Sequence, residues 1–461
     1  MYTKEEIENQ LVIDKKTIDS YWKNLEENIE KRSNKQIAKK IREAFEEYYE
    51  DMYGVGDIPE WLAGLYDPQI GGFYYSNSAR DNEGFLPDLE STRQAIKLFH
   101  ILGVPEYFGK NIPDVYTEEF KKKVLEFVKV LQDENGYFYH PQWPRELTDS
   151  KPHRRGRDLN WACELFQWFG DSPTYDTPTG LRGNGILADG TIAKNYVPRE
   201  KGEIAAPKEE LVTPHLKNKD AFLEYLDTFD LNGNSYVVAS RFESESREIY
   251  ARDKVLSELG EDYSLCDILK SWFDERQDVK TGLWTLKSPD IDGLNGLLKA
   301  CGAYNGIHRS IPNGLRGIES AIEVLNSGED TGSVCHVLNP WYAINSIITN
   351  MALYGGGASE AEKYKLYIFE HAPEMIRSTK NHIIQYKKPD GSFSFAKMYS
   401  SHLSQGHPVA VPNTYEGDVN ATNIAAQGII GHIFDLLEVK RVPVYGKAAI
   451  MKFYNIIEGK S

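Results

Sequence analysis

The stretch WLAGLYDPQIGGFYYS, residues 61–76, decides the fold because the chain returns to its plan again and again. An amphipathic helical segment closes on a polar residue, a polar turn carrying glycine follows, and a large residue, usually aromatic, comes next. EFVKVLQDENGYFYH (126–140), FLEYLDTFDLNGNSYV (222–237), SWFDERQDVKTGLWT (271–285) and HIIQYKKPDGSFSF (382–395) share it. Gly72, Gly136, Gly233, Gly282 and Gly391 hold the turn position, where a left-handed backbone is expected and glycine adopts it without a side-chain clash. Self-similarity of this kind marks stacked supersecondary units, each burying its apolar face only against its neighbours.

After most turns a second helix opens on acids. PDLEST (87–92), GRDLNWA (156–162), PDIDGLN (289–295) and EGDVNATN (416–423) are such openings, and CHVLNPWYAINS (335–346) is one without a clear turn before it. Acids in a first turn complement the positive end of the helix dipole. No run of alternating β-branched residues is sustained between turns. The pattern predicts an all-α protein: an α/α toroid, or barrel, of about six to seven helical hairpins whose second helices line the inside. Residues 1–55 read as N-terminal outer helices, residues 171–220 as a long loop or flap, and 1–461 as one domain.

Composition narrows the function. With 461 residues, 41% of them hydrophobic, the chain can bury a large core, and its net charge of −16 argues against a nucleic-acid binder relying on bulk positive charge. No apolar run approaches the ~20 residues that span a bilayer. MYTKEEIENQ lacks the pattern of a signal peptide, and Cys163, Cys266, Cys301 and Cys335 form no C-x-x-C pair. Reduced thiols in a cytoplasmic protein are therefore expected.

The pattern helix, Q/D-x-x-x-G-x-F, loop, D-x-x-S/T, helix, LG resembles the repeats of terpenoid-cyclase and protein-prenyltransferase β-subunit toroids over most of residues 60–440. YDPQIGGFYYS (66–76) is also similar to turns of six-hairpin sugar enzymes such as the acylglucosamine epimerases. Both resemblances imply an α/α toroid, a fold that hosts many activities. The prenyltransferase zinc site needs a D-x-C pair, and no cysteine here follows an aspartate by two. Neither a metal nor a cofactor is expected.

In such a ring the second-helix starts gather at one mouth. That would bring together Asp88, Glu90, Arg157, Asp158, Asn160, Asp290, Asp292, His336, Asn339, Glu416, Asp418 and Asn420. An aspartate at a helix start is most often a cap. Capping does not need a second acid two residues on, which singles out Glu90 and Asp292. KPHRRGRDLNW (151–161) places Arg154, Arg155 and Arg157 together as an anion clamp, since guanidinium forks match carboxylates. YNGIHRSIPNGLR (304–316) reads as a loop carrying Tyr304, His308 and Arg309. His100, His371, His402 and His432 belong to no constellation and read as structural or exposed.

These groups suit a carbohydrate-active enzyme acting on an acidic, uronate-containing saccharide, with β-elimination ahead of hydrolysis. Tyr304 and His308 would move protons, Arg309 with Asn160 or Asn339 would neutralise the uronate, and Trp161, Trp341 and Tyr415 would offer platforms to sugar rings. A hydrolase would instead draw two opposed carboxylates from Glu90, Asp158, Asp292, Glu416 and Asp418. The alternative is a class II terpenoid cyclase, whose D-x-D-D-T motif DVNAT (418–422) resembles, with Asn420 and Ala421 in place of two acids.

Overall fold

Helix starts in this chain are set by short polar side chains that take up otherwise orphaned backbone N–H groups. The computed structural model describes residues 1–177, 179, 181–197 and 213–459 and is mostly helical. Residues 198–212, inside the stretch expected as a flap, lie outside the described residues. α1 (Lys4–Arg32) opens on a capping box between Thr3 and Glu6, and α2 (Lys35–Tyr53) on Asn34. α3 (Ile58–Leu65) leads into a two-residue antiparallel ladder of β1 (Tyr66–Asp67) and β2 (Gly72–Phe73). There follow α4 (Asn77–Arg80), α5 (Leu89–Ile101), α6 (Val104–Phe108), α7 (Glu118–Val130), α8 (Arg145–Asp149) and α9 (Pro152–Phe169). Next come α10 (Lys219–Leu226), α11 (Ser235–Glu258), α12 (Leu265–Asp274), α13 (Ile291–Gly306), α14 (Gly314–Asn326), α15 (Val334–Tyr354) and α16 (Ala358–Ile383). A second small ladder, β3 (Leu403–Ser404) with β4 (His407–Pro408), precedes α17 (Val419–Ile430), α18 (His432–Leu437) and α19 (Lys447–Gly459).

Six helices pack side by side in the order α9, α5, α17, α15, α13, α11. The order is not that of the chain: the C-terminal α17 lies between the N-terminal α5 and α15. Other helices cover this row. α16 packs on α2, α14 and α15, α19 on α1 and α3, α12 on α10 and α11, and α7 on α9. One contiguous apolar core runs from Trp22 in α1 to Ile457 in α19.

The glycine turn docks on the helix that follows it through the same hydrogen bonds in two copies. Phe73 N donates to Thr92 Oγ1 and Phe393 N to Thr422 Oγ1, each at 2.9 Å. Asp88 N donates to Phe73 O at 3.2 Å and Asp418 N to Phe393 O at 2.9 Å. Each aspartate then caps its own helix, accepting from Ser91 N at 3.1 Å or Ala421 N at 2.7 Å.

The left-handed glycines are Gly136, Gly282 and Gly391, as expected, but Gly71 rather than Gly72. The aromatic residue two positions on fixes the register: Gly71 precedes Phe73 as Gly136 precedes Phe138 and Gly391 precedes Phe393. Gly72 serves close packing instead, since a Cβ there would lie 2.9 Å from Pro87 and 3.0 Å from Phe127. Gly233 is no left-handed turn; it directly precedes Asn234, the cap of α11. The opening expected at GRDLNWA also shifts: α9 begins at Pro152, so Asp158 lies in its interior.

Gly282 (φ +71°) and Gly170 (φ +72°) both have a left-handed φ, but a Cβ on Gly282 would sit 2.4 Å from Gly317 N while one on Gly170 meets no described residue within 4 Å. Gly170→Ala is expected to cost about 1–2 kcal/mol, the backbone term alone. Gly282→Ala is expected to cost more, through displacement of α14. Urea unfolding midpoints compare the two.

Candidate functional site

Because α9 starts early, Arg154 and Asp158 fall four residues apart on one helical face. Arg154 Nε lies 3.0 and 2.9 Å from the two oxygens of Asp158. Its Nη2 lies 3.0 Å from Asp88 Oδ1 and its Nη1 3.0 Å from Glu90 Oε2. The Trp143 ring closes the remaining side, 4.6 Å from the guanidinium carbon. Glu90 also receives Arg157 Nη2 at 2.9 Å and the hydroxyl of Ser404 in β3. Arg154, Asp88, Glu90 and Asp158 are all buried. Desolvation of this size is tolerated only when each charge is paired. Burial alone would lower the Arg154 pKa, but Asp158, Glu90 and Asp88 more than offset it and hold it above the ordinary arginine value. Burial pushes the Asp158 carboxyl up to about 6 against the pull of Arg154.

A second buried acid pair sits at the start of α17. Glu416 accepts from Ser76 Oγ at 2.8 Å and Ser78 N at 2.7 Å, with Ser400 at 3.3 Å. Asp418 is fully buried, and burial raises its carboxyl to about 7 although the Ala421 N–H favours the ionised form. The buried phenol of Tyr75 is held well above its ordinary value, first by burial and then by Asp418 and Glu90.

The open space lies farther along the row. A cleft of about 590 Å³ opens at the N-terminal ends of α11, α13 and α15. Tyr236, Asp290, Asp292, Asn295, His336 and Asn339 face it. Asp290 is a cap, accepting from Gly293 N at 2.7 Å. Asp292 is exposed. Asn339 Nδ2 donates to Asn295 Oδ1 at 2.6 Å. His336 Nδ1 contacts the carbonyl oxygen of Thr331. A carbonyl only accepts, so Nδ1 carries the hydrogen, and Nε2 of the neutral ring keeps its lone pair. Cys335 joins the cleft to the buried acids: it lines the cleft, and its thiol is raised to about 11 by burial and Asp418, with Arg157 opposing.

The structure thus divides the residues expected at one mouth. Asp290, Asp292, His336 and Asn339 share the cleft, Asp88, Glu90, Asp158 and Asp418 are buried at α5, α9 and α17, and Asn160 is exposed. Arg154 is enclosed by carboxylates, Arg157 is paired with Glu90 and stacked 4.6 Å over Trp161, and Arg155 pairs with Asp149 at 2.9 Å. Tyr304 is not in a loop; it belongs to α13, is fully buried, and donates to Asp274. His308 packs against Tyr250 and Tyr354, and Arg309 pairs with Asp267 at 2.6 Å. These three lie at the far end of the 16-residue α13 from Asp290. At 1.5 Å per residue that is roughly 24 Å away. Trp341 is buried and donates to Thr379 at 2.8 Å, whereas Tyr415 is exposed beneath Lys388. Tyr236 and Asn295 were not among the expected site residues. The signal for Tyr236 was the NGNS turn (232–235), whose Asn234 caps α11.

Arg154→Met should leave the buried Asp88 and Asp158 without their cation and Glu90 with Arg157 alone, and cost about 3–5 kcal/mol, measured by chemical denaturation. Asp158 and Asp418 keep their protons to higher pH folded than unfolded, so N binds more protons than U between the two values. The stability they contribute is full below the ordinary aspartate range, near 3.9, and is lost as pH rises through about 6 and about 7. Asp418→Asn is therefore expected to flatten that slope and to exceed wild-type stability at about pH 8. Comparison with protein-family models, curated proteins and solved structures gives no match for this chain.

Proposed function

We propose that the chain is a carbohydrate-active enzyme built on an α/α toroid, and that it eliminates across a uronate in the cleft at the ends of α11, α13 and α15. The toroid reading is supported by the uninterrupted row of six helices and its outer cover. The reaction reading is carried by one observation: His336 is pinned through Nδ1, leaving Nε2 as a base in a cleft that also holds Tyr236, Asn339 and Lys287. His336 Nε2 would take the C5 proton, and the C5–H electrons would form the C4=C5 double bond. Tyr236 would protonate the departing C4 oxygen. Asn339 and Lys287 would face the uronate carboxylate and stabilise the charge that builds on it. Asn232, Asn234, Ser235 and Thr285 make the lining polar, which suits hydroxylated rings and disfavours a polyprenyl chain.

Hydrolysis is the second reading, favoured by the exposed carboxylate of Asp292 in the same cleft. Incubation with uronate-containing oligosaccharides separates the two. Elimination yields an unsaturated product that absorbs in the ultraviolet. His336→Gln is expected to reduce its rate by roughly 10²–10⁴, and Tyr236→Phe to reduce it as well. Tyr304→Phe and His308→Ala, at the far end of α13, should retain activity. New reducing ends without ultraviolet absorbance, abolished by Asp292→Asn, would transfer the assignment to hydrolysis. No product of either kind would sink both.

A further inference from the structure

A group of basic side chains lies away from the cleft, where the end of α5 meets the segment after α18, Val444 N donating to Leu102 O at 2.9 Å. Lys97 and His100 come from α5, His432 opens α18, and Arg441 follows it. His432 is 6% exposed. Its Nδ1 lies 3.2 Å from Asn345 Nδ2. An amide nitrogen only donates, so Nδ1 accepts and the hydrogen sits on Nε2. That Nε2 is buried and has no hydrogen-bond partner among the described residues, and neither has the buried Nδ1 of His100. Unpaired buried polar atoms are costly and rare.

The cations beside these imidazoles are poorly satisfied too. Among the described residues no carboxylate lies within ion-pairing distance of Lys97. Its neighbour Glu164 is engaged by Arg93, at 2.7 Å from Nε. Arg441 has Glu106 at 4.0 Å and Asp435 at 3.9 Å, the outer edge of an ion pair. Burial, reinforced by Lys97 and Arg441, lowers both histidines to about 4. Burial and Arg93, opposed by Glu164, lower Lys97 to about 8. Four basic groups from three segments thus act on one another electrostatically, and among the described residues two of their buried nitrogens lack a hydrogen-bond partner while the nearest carboxylates stand at 3.9 Å or more from Arg441.

We propose that Lys97, His100, His432 and Arg441 form a binding site for a small oxyanion, the shared chemistry of a phosphate and a carboxylate. A water molecule would satisfy one imidazole but offers no charge to the two cations. An oxyanion accepts several hydrogen bonds at once and supplies the missing negative charge. The site is distinct from the cleft and does not depend on the reaction proposed there.

Calorimetric titration of the full chain with inorganic phosphate and, separately, with acetate tests this. Saturable binding of at least one of them is expected at about pH 7. Phosphate alone would identify a phosphate site, and both together a general oxyanion site. Lys97→Met and His432→Phe should each weaken binding by about tenfold or more, while Lys97→Arg retains it. Affinity should fall between about pH 7 and pH 9 as Lys97 loses its proton, a dependence absent from Lys97→Met. In the wild-type chain, saturating phosphate or acetate should raise the two most depressed histidine titrations, read by NMR, because a bound anion favours imidazolium. That measurement serves if a variant fails to melt cooperatively. No saturable binding of either ion, binding unchanged in cooperatively folded Lys97→Met, or histidine titrations unmoved by the ions would overturn the proposal.

Discussion

The guanidinium of Arg154 is the charge around which the first half of the helix row is assembled. It is fully buried, and it takes Asp88 and Glu90 from α5 and Asp158 from its own helix. Without it, Asp88 and Asp158 would be stranded in a low-dielectric interior and Glu90 left with Arg157 alone. With it, α5 and α9 are fixed by bonds whose geometry the planar guanidinium dictates. Ser404 in the β3–β4 ladder reaches the same Glu90, so the segment before α17 is tied to this centre as well.

The duplicated threonine anchor does at the backbone what Arg154 does with charge. Thr92 and Thr422 each accept from the turn and donate to the carbonyl of the aspartate four residues before. A backbone N–H that the turn geometry leaves unpaired is thereby satisfied inside the core. Two distant parts of the chain solved one local problem alike, and α5 and α17 then packed side by side. Tyr75 links them: its carbonyl accepts from Val419 N at 3.0 Å.

Strong pairing and openness are separated along the row. Where acids and arginines are most numerous, at α5, α9 and α17, they pair with one another and close the space. Where the ends of α11, α13 and α15 carry amides and hydroxyls with two aspartates, one histidine and the nearby Lys287, a cleft remains. A pinned imidazole beside uncrowded amides is better placed to meet a ligand than a carboxylate already held by two arginines. This weighs toward His336 and away from Glu90.

What the sequence determined by itself was local. Turn glycines, caps and apolar periodicity depend on residues a few positions apart, so helical character, Asp88, Asp290 and Asp418 as caps, and the left-handed Gly136, Gly282 and Gly391 were legible in it. The register of Gly71 was missed by one because both glycines fit the pattern and only the docking of Phe73 chooses between them. Tertiary structure decided the rest. The pairing of Arg154 with Asp88 spans 66 residues and that of Ser404 with Glu90 spans 314, separations at which no spacing rule acts. It also placed Tyr304, His308 and Arg309 at the far end of α13, because sequence proximity to a helix does not say which end of it a cleft occupies. His100 and His432, unremarkable in the chain, acquire their chemistry only from the lysine and arginine that folding sets beside them.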